Sequence, residues 1–330
     1  MSDYLPLVFL VIMGVSVLAY VVLDGYDLGV GMLMPAATDD EQSTMVASIG
    51  PFWDANETWL VLGVGVLLSA FPRAHGVVLT ALYLPVVAML VALMLRGVAF
   101  ELRMKALGWH RDLWNGLFWL GSFGASFFQG VMLGRYITGF ESGFTYIAFS
   151  IVVGASLCGG YVLLGATWLV YKAQGALREK ALAWARWGLL WVALGVALVS
   201  IATPLVSATV RNKWFDFPGT LWVMILPLAT IALGIRLWFL TRALKDREGT
   251  RDALPYAHAV AIFALSFLGL AYSLFPYIVI DRLTIWEAAG HPSALKAIFV
   301  GAAIVLPFIV GYTILSYRVF GGKVRERLYD

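Results

Sequence analysis

Apolar residues along this chain come in long blocks separated by short polar connections, and within the blocks there is little of the alternation that marks a half-buried strand. A helix needs roughly 20 apolar residues to cross a bilayer. Blocks of about that length fall at about 5–34, 57–71, 77–96, 115–133, 144–171, 185–208, 220–240, 257–280 and 296–318. The pattern therefore predicts nine spanning helices, the second of them short, with WDANETW supplying its first turn. The first block, MSDYLPLVFLVIMGVSVLAYVVL, has no basic stretch ahead of it and no small-residue cleavage site before Asp24, so it is expected to remain as a helix.

Composition agrees with that reading: 61% of residues are hydrophobic, 13% are charged, and the mean hydropathy is +0.84. Soluble domains carry about 25% charged residues, so a soluble enzyme with a sheet core is excluded, as is disorder. The fold class expected is an all-α integral membrane protein. Cys158, the single cysteine, lies in an apolar run, which removes disulfide frameworks, cysteine zinc sites and cysteine-held iron–sulfur clusters. Charge changes the picture more once it is split by position. The first cation is Arg73, and eight acids precede it: Asp3, Asp24, Asp27, Asp39, Asp40, Glu41, Asp54 and Glu57.

Lys and Arg are retained on the cytoplasmic side of membrane proteins. With nine spans, Arg73, Arg135, Arg211, Lys213, Arg282 and Lys296 fall on one side and the other seventeen cations on the opposite side. This places the N-terminus in the periplasm and the C-terminus in the cytoplasm, and makes the acidic 35–56 connection a cytoplasmic loop. Acids contribute little to the rule, so the loop is tolerated, but its acidity needs another reason.

Charges within spans are a functional signal by default, because each costs about 2.5–3.5 kcal/mol on insertion scales. Asp24 and Asp27 share a helix face. They would mark the helix end if they sat in the headgroup layer, but the chain continues LGVGMLMPAA without a polar break until Thr38, which favours burial. In PFWDANETW, Asp54 and Glu57 read as a capping box at a helix start, which accounts for both without function but leaves Asn56 unexplained. Arg96 and Glu101 close the third span on the same side, and Arg96 is the natural counter-ion for one carboxylate. His75, His110, His258 and His291 all fall in connections or at helix ends, so no haem, copper or zinc site of this chain's own is expected. The small residues Gly25, Gly29, Gly154, Gly159, Gly160 and Gly165 offer flat helix faces for a partner. A faint repeat aligns Tyr20–Leu28 with Tyr161–Leu169. Duplication would divide the chain into two four-helix halves and a ninth helix, and chance remains the rival account of so short an apolar match.

DGYDLGVGML, PFWDANETWLV and LRGVAFELR, in that order and spacing, with GATWL at 165–169, resemble subunit II of the cytochrome bd-type quinol oxidases over the whole chain. The shorter length resembles the cyanide-insensitive branch. The resemblance implies one membrane domain over 1–330: a four-helix bundle at 1–133, a second at 144–280 and a peripheral helix at 296–320. It implies a haem-bearing partner, subunit I, that holds haem b, haem d and the quinol site in a bacterial inner membrane. It implies a cytoplasmic proton-uptake route beginning at Asp54, with Asp24 and Asp27 further in and Arg96 beside them; Glu57 joins the path as a candidate and Glu101 joins Arg96 as a charge partner. No metal is expected in this chain. A structural quinone is a candidate cofactor, and a small single-helix subunit and membrane lipid are candidate partners; nucleic acid is not. Set aside the resemblance, and the acid cluster equally suits a proton- or cation-coupled secondary transporter.

Overall fold

The computed structural model describes residues 4–217, 219–245, 249 and 251–324. Of the terminal stretches expected to face periplasm (1–4) and cytoplasm (320–330), residues 1–3 and 325–330, with Arg325 and Arg327, lie outside the described residues, as does Arg247. The long elements are α1 (Leu5–Leu33), α3 (Trp53–Ala70), α5 (Tyr83–Arg103), α6 (Trp109–Ile137), α7 (Phe144–Lys172), α8 (Gly175–Val206), α10 (Gly219–Ala243), α11 (Leu254–Leu274) and α13 (Pro292–Val319). Shorter helices are α2 (Asp39–Ile49), α4 (Pro72–Ala81), α9 (Ala208–Phe215) and α12 (Ile285–Ala288); β1 (Tyr277–Val279) and β2 (Leu283–Thr284) form a small hairpin. Among the described residues eight of these helices, all the long ones but α3, are long and apolar enough to cross a membrane. The remaining expected span, α3, has 18 residues and carries Asp54, Asn56 and Glu57 near its start, which lowers its hydropathy.

Two expectations are corrected by helix ends. The third span does not close at Arg96; α5 runs on to Arg103, so Arg96 sits inside the helix. The eighth does not reach 280, because Phe275 and Pro276 follow Leu274 and the chain turns into the β hairpin. The acidic 35–56 connection is not simply a loop, since α2 occupies Asp39–Ile49 and buries Ser43 and Met45–Ile49. Asp39, Asp40 and Glu41 form its first turn, where carboxylates favour the positive end of the helix dipole. Glu41 accepts from the Thr38 amide at 2.8 Å and from Lys180 Nζ at 2.7 Å. Glu41 thus ties the start of α2 to α8.

Two apolar clusters form the core. The larger surrounds the crossing of α1 with α7 and includes Tyr26, Val30, Leu164, Trp168 and Phe100. The smaller, at the other end, joins Phe9, Phe71, Phe140 and Ile278. At the crossing a side chain on Gly29 would overlap the Tyr161 carbonyl, and one on Gly165 would overlap the Val30 amide. Every proposed small-residue stripe turns inward in this way: Gly25 meets the Tyr161 ring, Gly154 meets Phe127, Gly159 meets Trp191 and Gly160 meets Phe263. Those glycines are spent on packing within the chain, which corrects their reading as faces for a partner.

Helix α13 is the outlier. None of its most apolar stretch is buried, and it is held by its ends. Past its C-terminus, Phe320 O accepts from Lys172 Nζ at 2.7 Å. Lys323 Nζ lies 2.6 Å from Asp252, which also pairs with Arg178 at 2.8 Å. Burial raises the Asp252 carboxyl, but the hydrogen bonds from Arg178 and Lys323 outweigh it and hold the group below its ordinary range. A depressed carboxyl contributes stability fully present above its unfolded value, about 3.9, and lost as pH falls below it. The gap in thermal midpoint between the native protein and Asp252→Asn should therefore be constant at neutral pH and shrink as pH drops below about 4. A gap that instead widened in acid would contradict this arrangement.

Candidate functional site

The second half of α1 is the most enclosed polar segment of the chain. Asp24 and Asp27 have no exposed surface, and Arg96 and Asn56 are 1% exposed. Gly121 on α6 lets α5 approach backbone to backbone at Arg96, and this brings the guanidinium against α1. Arg96 Nη1 donates to Asp24 Oδ1 at 2.6 Å and lies 3.5 Å from Glu57 Oε1 on α3. The Trp53 ring covers the guanidinium at 5.9 Å. Two buried ions cost several kcal/mol each to desolvate, so each fixes the other in place.

Asp27 turns toward α3 and meets a neutral donor. Asn56 Nδ2 lies 2.7 Å from Asp27 Oδ2, 3.0 Å from the Tyr26 hydroxyl and 3.1 Å from Leu23 O. Asn56 Oδ1 accepts from Tyr317 on α13 at 3.2 Å, and the Tyr317 and Tyr26 hydroxyls are 2.7 Å apart. The outer helix thus reaches into the site through one side chain, with its ring stacked on Phe52 at 4.5 Å. A second buried chain leaves the site along α1: Tyr161 donates to Gln129 Oε1 at 2.6 Å, and Gln129 Nε2 donates to the Tyr20 hydroxyl at 2.6 Å. Tyr20 is one helical turn before Asp24.

Of the six residues expected together, the structure gathers Asp24, Asp27, Glu57 and Arg96. Asp54 is exposed on the first turn of α3, and Glu101 is exposed beyond Arg96 on α5. No capping box forms at Asp54 and Glu57, because Phe52 is the N-cap and makes no side-chain cap bond. Glu57 is instead drawn to Arg96, which is a stronger partner than a backbone amide. Tyr20, Gln129, Tyr161 and Tyr317 were not singled out as site residues. A lone glutamine inside SFFQGVML was a usable signal, since an amide in a span needs a partner.

The histidines lie where expected: His75 in α4, His110 in the first turn of α6, His258 near the start of α11 with Nδ1 2.8 Å from Leu254 O, and His291 as the N-cap of α13. Such positions do not fit axial ligation of a haem held between spans. Among the described residues no group of three or more His, Cys, Asp or Glu is placed to hold a metal ion.

Comparison with known proteins adds four findings. The family profile described as cytochrome bd terminal oxidase subunit II matches residues 5–320. Cytochrome bd ubiquinol oxidase subunit 2 of Bacillus subtilis is 29% identical, over 96% of this chain and 96% of that protein. Cytochrome bd-I ubiquinol oxidase subunit 2 of Escherichia coli is 26% identical, over 99% and 97%. A chain of the bd oxidase from Geobacillus thermodenitrificans superposes with a TM-score of 0.77 at 16% identity, covering 96% of this chain and 98% of that one, which establishes likeness of fold.

Proposed function

The chain belongs to the cytochrome bd terminal oxidase subunit II family and is a multi-pass membrane subunit of an oxidoreductase complex, and from that premise we propose that it is the non-haem subunit of a quinol:oxygen oxidoreductase that leads cytoplasmic protons toward a haem-bearing partner. In this reading α3 is the ninth crossing, the cation-rich side is cytoplasmic, and the membrane is the bacterial inner membrane. The long helices fall into two bundles, α1/α3/α5/α6 and α7/α8/α10/α11, with α13 outside. Subunit I carries haem b, haem d and the quinol site, and the complex generates a proton motive force.

The observation that carries the proposal is the graded series of carboxylates: Asp54 exposed, Glu57 30% exposed one turn further on, and Asp27 and Asp24 fully buried. Reduction of oxygen to water consumes protons, and polar groups must lead them from a surface to a buried site. A carboxylate on the outer turn of a helix exchanges with water, and those behind it can pass a proton inward. The outward face of α3 supports a protein partner there. Val61, Val64 and Leu68 follow Glu57 at helical spacing and are exposed, and a half-open carboxylate against lipid would cost about 2.5–3.5 kcal/mol.

Asp54→Asn tests the path. The side chain makes no cap that asparagine would disturb, so the complex should assemble with its haems. Oxygen consumption should fall by roughly tenfold, the effect of about 1.4 kcal/mol on a barrier. Full turnover in an assembled variant would remove Asp54 from the route. Purification separates this reading from a transporter with the same acid cluster: an oxidase subunit brings down a haem-bearing chain with a reduced-minus-oxidised spectrum, and a transporter does not.

A further inference from the structure

The two buried acids of α1 differ in what surrounds them, and that difference divides their tasks. Asp24 and Glu57 share one guanidinium, that of Arg96, and among the described residues no cation lies within ion-pairing distance of Asp27. If Asp24, Asp27 and Glu57 were all ionised beside Arg96, the site would hold two uncompensated negative charges, and buried like charges cannot all persist. Glu57 is 30% exposed and 3.5 Å from the guanidinium, so water and Arg96 both temper its charge. Asp27 is fully buried and receives only a neutral amide, which it shares with a hydroxyl and a carbonyl.

The Tyr161–Gln129–Tyr20 chain acts in the same direction. Each donor in it points toward α1: Tyr161 into the Gln129 carbonyl, and the Gln129 amide into the Tyr20 oxygen. Tyr20 therefore keeps its own hydrogen to give, and it interacts with Asp24 one turn away. A file of donor dipoles aligned toward a carboxylate favours its anionic form. Asp24 Oδ2 has no hydrogen-bond partner among the described residues.

We infer that Asp24 is the fixed anion of the site, held by Arg96 and by the Tyr161–Gln129–Tyr20 chain, and that Asp27 is the acid that bears and exchanges the proton. The groups facing Asp27 are Tyr26 and Asp24 on α1, Asn56 and Glu57 on α3, Arg96 on α5, Tyr256 on α11 and Tyr317 on α13. Gln129 is a positioning residue, acting on Asp24 through Tyr20. The inference deepens the proton-path reading and rests on it only for the use of this proton in turnover.

The test is the carboxylic-acid C=O stretch in H2O-minus-D2O infrared difference spectra of the assembled oxidase. One such band should disappear completely in Asp27→Asn and survive in Asp24→Asn. Should Asp24→Asn fail to assemble, Asp24→Asn combined with Arg96→Gln removes the buried pair together and leaves only the partly exposed Glu57 without its cation, and the band should survive there too. A spectrum unchanged by Asp27→Asn, or a band lost with Asp24, overturns the assignment. If the band is lost in Asp27→Asn while oxygen consumption stays at the native rate, the proton is assigned correctly and it is the path reading that fails.

Discussion

Replacing Arg96 by glutamine is expected to cost the folded protein about 3–5 kcal/mol, the usual penalty for stranding one half of a buried ion pair. Native domains are stable by only about 5–15 kcal/mol in total, so little assembled complex should accumulate. The guanidinium is 1% exposed and its partner Asp24 is not exposed at all. Among the described residues, removing it leaves no cation in ion-pairing distance of Asp24 or Glu57. If the loss comes from stranded charge and not from the shape of the arginine, adding Asp24→Asn should restore much of the yield. The coupling between the two positions should then be a large share of the single-variant loss. Arg96→Gln that accumulates normally, or a double variant as poor as the single, would show that the pair does not hold α5 to α1. Yield is read as haem-replete complex per membrane.

How much of this was readable beforehand depends on the kind of interaction. Eight long apolar helices followed from the apolar blocks, because a bilayer imposes length and apolarity on every spanning helix regardless of its neighbours. Burial of Asp24 and Asp27 followed from the missing polar break after them, and Arg96 as counter-ion followed from the cost of an unpaired charge. Which acid Arg96 would choose did not, because the choice is set by where α5 sits on α6, whose Gly121 admits the α5 backbone at Arg96, and by how far the long arginine side chain then reaches toward α1. Sequence local to Asp54 and Glu57 favoured a capping box; a partner more than thirty residues away outcompeted it. Tyr317 was hidden for the same reason. It sits in an apolar helix that looks peripheral, and only the docking of that helix's end brings its hydroxyl to Asn56. The inward turn of the glycines could not be separated from an outward one, since a small residue is compatible with close approach by any helix.

Even the smallest substitution at the α1–α7 crossing should be severe. Gly29→Ala places a methyl group where the Tyr161 carbonyl oxygen already is, and neither atom belongs to a side chain that can rotate away. Inserting atoms into a packed core ordinarily costs about 1–3 kcal/mol, and here two helix backbones must part for the methyl to fit. Parting them also draws Tyr161 away from Gln129 and loosens the stack of Tyr26 on Trp168, whose ring centroids are 4.2 Å apart. Gly29→Ala should therefore lower both the yield of complex and its thermal midpoint, with Gly29→Leu abolishing assembly. Gly65→Ala is the control: nothing lies within 4 Å of its Cβ position, and removing a helical glycine should gain about 0.5–1 kcal/mol. Equal behaviour of the two alanine variants would mean that the crossing is looser than drawn.

The position of Tyr317 bears on the order of biosynthesis. Helix α13 is synthesised after the eight other long helices, yet its side chain completes the shell around Asn56 and Asp27, and the segment 320–324 that anchors it reaches back to Lys172 and Asp252. A nascent chain inserted as far as α11 would hold its acids in a bundle whose end around Asn56 is not yet closed. The polar interior is therefore sealed only when α13 arrives, after the bulk of the bundle has packed, and a ribosome stalled between α11 and α13 would leave a membrane protein with an unsealed acidic interior.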